Sequence, residues 1–310
     1  MRKKVIKPFL AKLKLLDKVI LLKGWLALLY NCAKGGIYRP CRYLYSYGCF
    51  MFKKKHSLRK GTYRKTISLL CPTRGRPKKV ERFFSSIYRT AYMPERVEIL
   101  FYMDSDDSCK DEYKNFFNKA KKRFVRLKRC RVLTGEPTSI LKAWAIMAKE
   151  CEGDLMIVAN DDQVYVDYGW DDRLDEEVRK FPDDIFCMWF NDSNVGGEHS
   201  CFPIVSRRWV QTLGYYSPGI FKFLHIDTWI WDIARKINRL HYIPDVLVEH
   251  LAWEHKKAAL DNTTQRHRAG AHSKDGLKDG LLLEKTDPQR VDDAKKLKAV
   301  IDSYQKAKSS

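Results

Sequence analysis

The stretch Gly153-Asp154-Leu155-Met156-Ile157-Val158-Ala159-Asn160-Asp161-Asp162 leaves a turn, runs through consecutive apolar residues and ends on two adjacent carboxylates. A short apolar run without alternation reads as a strand buried on both faces, the kind found in parallel sheets covered by helices. Ligands of such sheets bind beyond the C-terminal strand ends. Asp161 and Asp162 therefore stand where a ligand belongs, although paired acids after a strand also cap helices or build turns.

Working outward, the same pattern repeats. Residues 65–71 (K-T-I-S-L-L-C) form a short apolar run that stops at Pro72, and the loop T-R-G-R-P leads into a helical stretch over 78–89. Residues 97–103 (V-E-I-L-F-Y-M) make a second strand that ends at Asp104, Asp106 and Asp107; the last two read as a helix N-cap and its neighbour. A Lys- and Phe-rich helix over 111–123, a short strand over 131–134 and a helix over 139–151 follow. Alternating strands and helices predict an α/β domain with a mainly parallel central sheet flanked by helices.

Charge is divided unevenly. The chain has 310 residues and a net charge of +21, yet residues 1–60 hold 16 Lys/Arg against one acid, Asp17, and so carry +15 of it. A basic leader on a nearly balanced body argues against one uniformly basic nucleic-acid-binding domain. Phe9, Leu13, Leu16 and Ile20 recur at helical steps with Lys7, Lys14 and Lys18 on another face, which predicts a basic amphipathic helix. Lysines break its apolar run well short of the roughly 20 residues a membrane span needs, and the layout of a signal peptide is missing. The aromatics Tyr43, Tyr45, Tyr47, Phe50 and Phe52, closed by Lys53, Lys54 and Lys55, suit an anionic membrane surface as well as packing on the body. The nine cysteines are odd in number and include no C-x-x-C pair, which fits reduced thiols in a cytoplasmic protein, peripheral at the inner face of a membrane if the leader binds lipid.

Residues 66–265 resemble a glycosyltransferase of the GT-A (Rossmann-like) fold, family 2 type. The resemblance is carried by I-S-L-L-C-P-T-R-G-R-P, E-I-L-F-Y-M-D-S-D-D, G-D-L-M-I-V-A-N-D-D, H-I-D-T-W-I-W-D and I-P-D-V-L-V-E-H-L, in that order. One departure is visible: the family's first aspartate of the D-x-D segment is replaced, leaving Ala159-Asn160-Asp161-Asp162. The resemblance implies a transferase domain at 61–265, between the basic leader that charge marks at 1–60 and a polar C-terminal tail, 266–310, that reads as a solvated helix. It also implies metal-dependent, inverting transfer of a sugar from a nucleotide-diphosphate donor to a saccharide or lipid-linked hydroxyl. The cofactor would be Mn2+ or Mg2+.

The resemblance implies a role for each matching residue, and the chemistry of the transfer gives the reason for it. A hard cation on carboxylates neutralises the leaving diphosphate; Asp161 would help bind donor, and Asp162 with His250, after a short strand at 245–248, would ligate the metal. Pro72, Thr73 and Arg74 would line the nucleoside pocket, with Asp104 accepting hydrogen bonds from base or ribose. Arg76 would reach phosphate or remain a surface charge. Lys257, followed by Asp261, would screen the diphosphate from a closing lid. Asp227, at the start of an aromatic-rich helix, would be the catalytic base, with Asp232 as second choice and His225 and Trp229 holding the acceptor. Two other classes remain open: a sugar-phosphate nucleotidyltransferase, from T-R-G-R-P-K-K, and a nucleic-acid binder using the leader as a phosphate-contacting arm.

Overall fold

The computed structural model describes residues 38–51 and 64–309. The amphipathic helix expected from Phe9 and the lysines at 53–55 lie outside them. Among the described residues no helix is long and apolar enough to cross a membrane.

Helix α1 (Tyr38–Met51) precedes the body, whose alternating part is β1 (Ile67–Thr73), α2 (Pro77–Thr90), β2 (Val97–Asp104), α3 (Lys110–Arg123), β3 (Arg129–Gly135), α4 (Ile140–Glu150) and β4 (Leu155–Val158). Then come β5 (Gln163–Tyr165), α5 (Trp170–Val178), β6 (Cys187–Asn191), β7 (Ile204–Ser206), α6 (Arg207–Leu213), α7 (Ile226–Lys236) and β8 (Leu240–His250). Helices α8 (Asn262–Ala271), α9 (Lys274–Lys285) and α10 (Asp287–Ser309) finish the chain. The strands form one sheet in the order β3-β2-β1-β4-β7-β6-β8-β5. Pairs β1/β2, β2/β3, β1/β4 and β6/β8 are parallel, and β4/β7, β6/β7 and β5/β8 antiparallel. The expected α/β class with a mainly parallel, helix-flanked sheet is what the chain adopts.

The two-residue period of a strand sorts the apolar residues between two cores. Ile67, Leu69 and Cys71 of β1 with Ile99 and Phe101 of β2 face Val80, Phe83 and Phe84 of α2 and Tyr113 and Phe117 of α3. Leu70, Leu100 and Met156 point the other way, onto Leu141, Trp144 and Met147 of α4 and Ile230 and Ile233 of α7. That second core also takes in Ala294, Leu297 and Ile301 of α10. The C-terminal segment is thus corrected from a solvated helix to part of a core: α10 buries one stripe, and its other faces carry the charge that made it read as polar. Helix α8 runs across the boundary expected after residue 265.

Pro72 does not end β1. Strand β4 stops at Val158, which pairs with Leu70, so on that side Pro72 has no neighbour to receive an N–H and its missing donor costs nothing. On the other edge the ladder continues to Thr73 opposite Met103. The three strand ends that bear Thr73, Asp104 and Asn160 therefore finish at nearly the same level.

Candidate active site

Beyond those ends lies a cavity of about 680 Å³, lined by Pro72, Thr73, Arg74, Arg76, Asp104, Asn160 and Asp161, with the start of α4 and the loop at Phe221–Phe223 as the far wall. The sequence places four donor-side candidates, Pro72, Thr73, Arg74 and Asp104, on one wall, with Asp161 at its inner end.

The loop after β1 is shaped by acids of the loop after β2. Gly75 has φ +65°, a left-handed conformation suited to glycine. Its N–H donates to Asp107 Oδ2 at 2.8 Å, and the Arg76 N–H donates to Tyr113 Oη at 2.7 Å. Arg74 donates to Asp104 Oδ2 at 2.7 Å and forks onto Asp106. Asp106 and Asp107 are therefore loop fasteners, a correction to the N-cap reading; position N-cap of α3 is Cys109, without a side-chain cap. Because the Gly75 and Arg76 N–H groups are taken, they are not a free phosphate cradle of the kind a nucleotidyltransferase needs.

At the inner end Asp161 is 2% exposed and accepts from Thr73 Oγ1 (2.7 Å) and Arg76 Nη1 (3.0 Å). Burial, only partly offset by Arg76, pushes its carboxyl up to about 6. For Asp162 the balance tips the other way: burial would raise it, but His250 and Arg76 hold it below the ordinary carboxylate range. Asp162 Oδ1 lies 3.4 Å from His250 Nε2 and is buried without a hydrogen bond. His250 ends β8, a strand longer than the short 245–248 segment expected, and its pairing opposite Gln163 sets it beside Asp162.

Arg76 is central. Besides Asp161 it bonds Asp261 Oδ1 and Thr264 Oγ1, both at 2.6 Å, and stands 3.8 Å from Asp162. Lys79 adds a contact to Asp261 at 2.8 Å. Although burial acts against it, this pairing drives the Asp261 carboxyl well below its usual range. Lys257 does not line the cavity: its Nζ donates to Ser193 O (3.0 Å), Ser193 Oγ (2.7 Å) and Asn194 Oδ1 (2.5 Å), and the Asn194 amide in turn donates to the His250 carbonyl at 3.2 Å.

A cation fits one pair of groups. The uncommitted Asp162 Oδ1 and the adjacent imidazole of His250 combine a hard oxygen with a borderline nitrogen, a set that suits Mn2+ better than Mg2+. Among the described residues no group of three or more His, Cys, Asp or Glu side chains could hold a metal. Two protein ligands leave coordination positions for phosphate oxygens.

Asp227 is the second residue of α7, after His225 at φ +77°. Its Oδ1 accepts the Thr228 N–H at 2.8 Å, and its Oδ2 lies 3.5 Å from His199 Nε2, both side chains about 30% exposed. Asp232, the second choice, is corrected to a structural group: it is bound by Arg290 and Arg235 at 2.7 Å each and by Lys236 at 3.3 Å. Trp229 is corrected too; it is 1% exposed in the second core with Arg290 5.2 Å from its ring centre, so it cannot stack on an acceptor. His199, whose ring centre lies 5.6 Å from that of Trp231, was missed because a single histidine after Gly196-Gly197-Glu198 carries no periodic signal.

Asp279 of α9 was missed as well. At 3% exposure it accepts the backbone N–H groups of Lys222 (3.1 Å), Phe223 (2.7 Å) and Leu224 (3.1 Å). It thereby holds the loop that walls the cavity and leads into Asp227. In the repeated K-D-G of S-K-D-G-L-K-D-G, only the second aspartate is turned inward.

No protein-family model and no curated protein sequence matches the chain. Several solved structures are distantly alike. A mannosyltransferase from Pyrobaculum calidifontis, in complex with GDP-Man and Mn2+, aligns over 90% of this chain and 86% of its own at 13% identity and a TM-score of 0.48. S. aureus TarS 1–349 with UDP-GlcNAc aligns over 71% of both chains at 14% identity and 0.49. GalNAc-T7 with UDP, GalNAc and Mn2+ aligns over 63% of this chain and 47% of its own at 14% and 0.48. At such distances an activity cannot be carried across, and the chemistry must come from the residues present.

Proposed function

We propose that the chain is a divalent-cation-dependent glycosyltransferase acting on a nucleotide-diphosphate sugar. The observation that carries this is a nucleotide-sized cavity beside a carboxylate–imidazole pair: Pro72, Thr73, Arg74 and Asp104 form one wall, Asp161 closes its inner end, and the next residue, Asp162, stands off the lining 3.4 Å from His250. A nucleoside fits the wall, with Asp104 accepting from base or ribose once Arg74 lets go of it. The diphosphate then falls beside Arg76, which takes the screening role first given to Lys257.

A bound cation on Asp162 and His250 supplies positive charge to the departing diphosphate. The chain's own groups do the rest. Arg76 is a fixed, permanently charged donor at the same point, and a preorganised donor is worth more where water is excluded. Asp227 accepts the proton of the acceptor hydroxyl as its oxygen bonds to the anomeric carbon and the bond to the diphosphate oxygen breaks. His199 faces the carboxylate oxygen not used in the helix and keeps it oriented. Attack from the side opposite the leaving group inverts the anomeric centre, and the acceptor is a saccharide or lipid-linked hydroxyl.

The test is a panel of nucleotide sugars with Mn2+, read as release of the nucleoside diphosphate. Turnover with one donor, lost with chelator and in Asp162→Ala, is the expected result. Full turnover under either condition removes the cation from the mechanism, and nucleoside-triphosphate-dependent pyrophosphate release would replace the reaction class.

A further inference from the structure

Outside the leader, the positive charge of the chain is concentrated in one place. Residues 110–131 contain ten Lys/Arg (110, 114, 119, 121, 122, 123, 126, 128, 129, 131) and two acids, Asp111 and Glu112. The structure gathers most of them at one end of the body. Helix α3 runs down from the cavity, the turn at 124–128 reverses the chain, and β3 returns along the sheet's edge, bonded among the described strands only to β2. Lys119, Lys122, Arg123, Arg126, Lys128 and Arg129 are exposed there.

Some of these charges are matched. Arg126 pairs with Glu95 at 3.1 Å, Arg129 with Glu152 and Arg131 with Glu150 at 3.0 Å. Lys119, Lys122, Arg123 and Lys128 have no carboxylate partner among the described residues, so four cations share one surface uncompensated. Between them Val125 is 73% exposed, the apolar tip of the turn.

We infer that this surface, independently of the reaction assigned above, docks the chain on an anionic lipid bilayer. Phosphate headgroups match the four cations, and Val125 enters between them, where an apolar side chain gains from leaving water. A single-stranded polynucleotide would use the same charge but also wants exposed rings for stacking, and a duplex offers Val125 no apolar layer to enter. Here the rings face inward: Phe117 is buried, Phe116 meets Phe84 at 5.5 Å, and Phe124 meets Phe84 and Tyr88 at 4.9 and 4.7 Å. Helix α3, roughly 20 Å long, separates the surface from the cavity, so the bound protein opens its site away from the bilayer.

The experiment uses the full chain, its leader kept, with vesicles of phosphatidylcholine alone and with added phosphatidylglycerol. The parent is expected to float with the anionic vesicles, less so at high salt. The quadruple variant Lys119→Gln, Lys122→Gln, Arg123→Gln, Lys128→Gln should bind them at least about a hundredfold more weakly, each cation contributing about a factor of five. Val125→Asp should weaken binding with the four cations intact. All these side chains are exposed, so both variants should melt with the parent. Equal vesicle affinity of parent and quadruple variant would overturn the proposal. So would a variant that loses affinity for duplex DNA while floating as the parent does.

Discussion

Asp279→Ala separates the carboxylate's part in the fold from its part in the site. In the native chain one nearly inaccessible carboxylate receives three successive N–H groups, from Lys222 to Leu224. Removing it leaves those donors without a partner, at about 1–3 kcal/mol for each that water cannot reach. Lys222 is exposed and rehydrates; Phe223 and Leu224 do not fully, so the loss is roughly 2–6 kcal/mol. For a body of this size each kcal/mol moves the melting temperature by about 2–4 °C, and a fall of roughly 5–20 °C is expected in a thermal melt. The same loop carries Phe221 and Phe223 on the cavity wall and enters α7 just before Asp227. Turnover should therefore fall further than donor affinity, which depends on the β1 and β2 ends. Differential scanning fluorimetry with the donor titrated in reads stability and donor affinity, and release of the nucleoside diphosphate reads turnover. A variant that melts within about 1 °C of the parent would refute the reasoning.

Three further outcomes follow from the site. Asp161, with its pKa raised to about 6 in the fold, holds a proton that the unfolded chain releases near pH 4, so this group favours the fold below that window and loses the contribution as pH rises through about 6; Asp161→Asn should melt above the parent at pH 8, and a lower melting point there contradicts it. Mn2+ titrated alone should bind weakly to two protein ligands and more tightly with a nucleoside diphosphate present, with Asp162→Ala and His250→Ala each losing about tenfold or more; calorimetry showing equal affinity in both variants removes the pair as ligands. Asp227→Asn should lower turnover by roughly 10²–10⁴-fold with donor affinity kept, measured as kcat against donor KM; retained turnover assigns the proton elsewhere.

Strands β1, β2 and β4 were legible because burial on both faces is written as unbroken apolar runs, whereas the three-residue β5 and β7 leave no such run; the strand-end acids were legible because a carboxylate directly after such a run has few other uses. Pro72 was misread as a stop since the sequence does not disclose that its neighbour β4 has already ended. Asp106 and Asp107 looked like a helix cap because their partners, Arg74 and Gly75, sit more than thirty residues earlier. Trp229 and Asp232 were drawn into the acceptor site by proximity to Asp227 in sequence, yet helical geometry turns both inward onto Arg290. Lys257 is held off the cavity wall by Ser193 and Asn194, because its position after His250 fixes the order along the chain and not the direction of a flexible side chain. Asp279 and His199 belong to the site through contacts across the chain that no local pattern records.

The second core has a consequence for how the chain reaches this state. It joins Leu70 of the first strand to Leu297 and Ile301 of the last helix, roughly two hundred residues apart. The other core takes most of its residues from β1 through α3 and β4 and the rest from Tyr165, α5 and the strands up to Val248, so it closes without the C-terminal helices. Long-range closure comes after local contacts, because its loop entropy has to be overcome before any reward. One face of the sheet is therefore expected to condense early, while the face that holds α7, and with it Asp227, waits for α10. In a stopped-flow refolding experiment the cavity should bind donor only in the slowest phase.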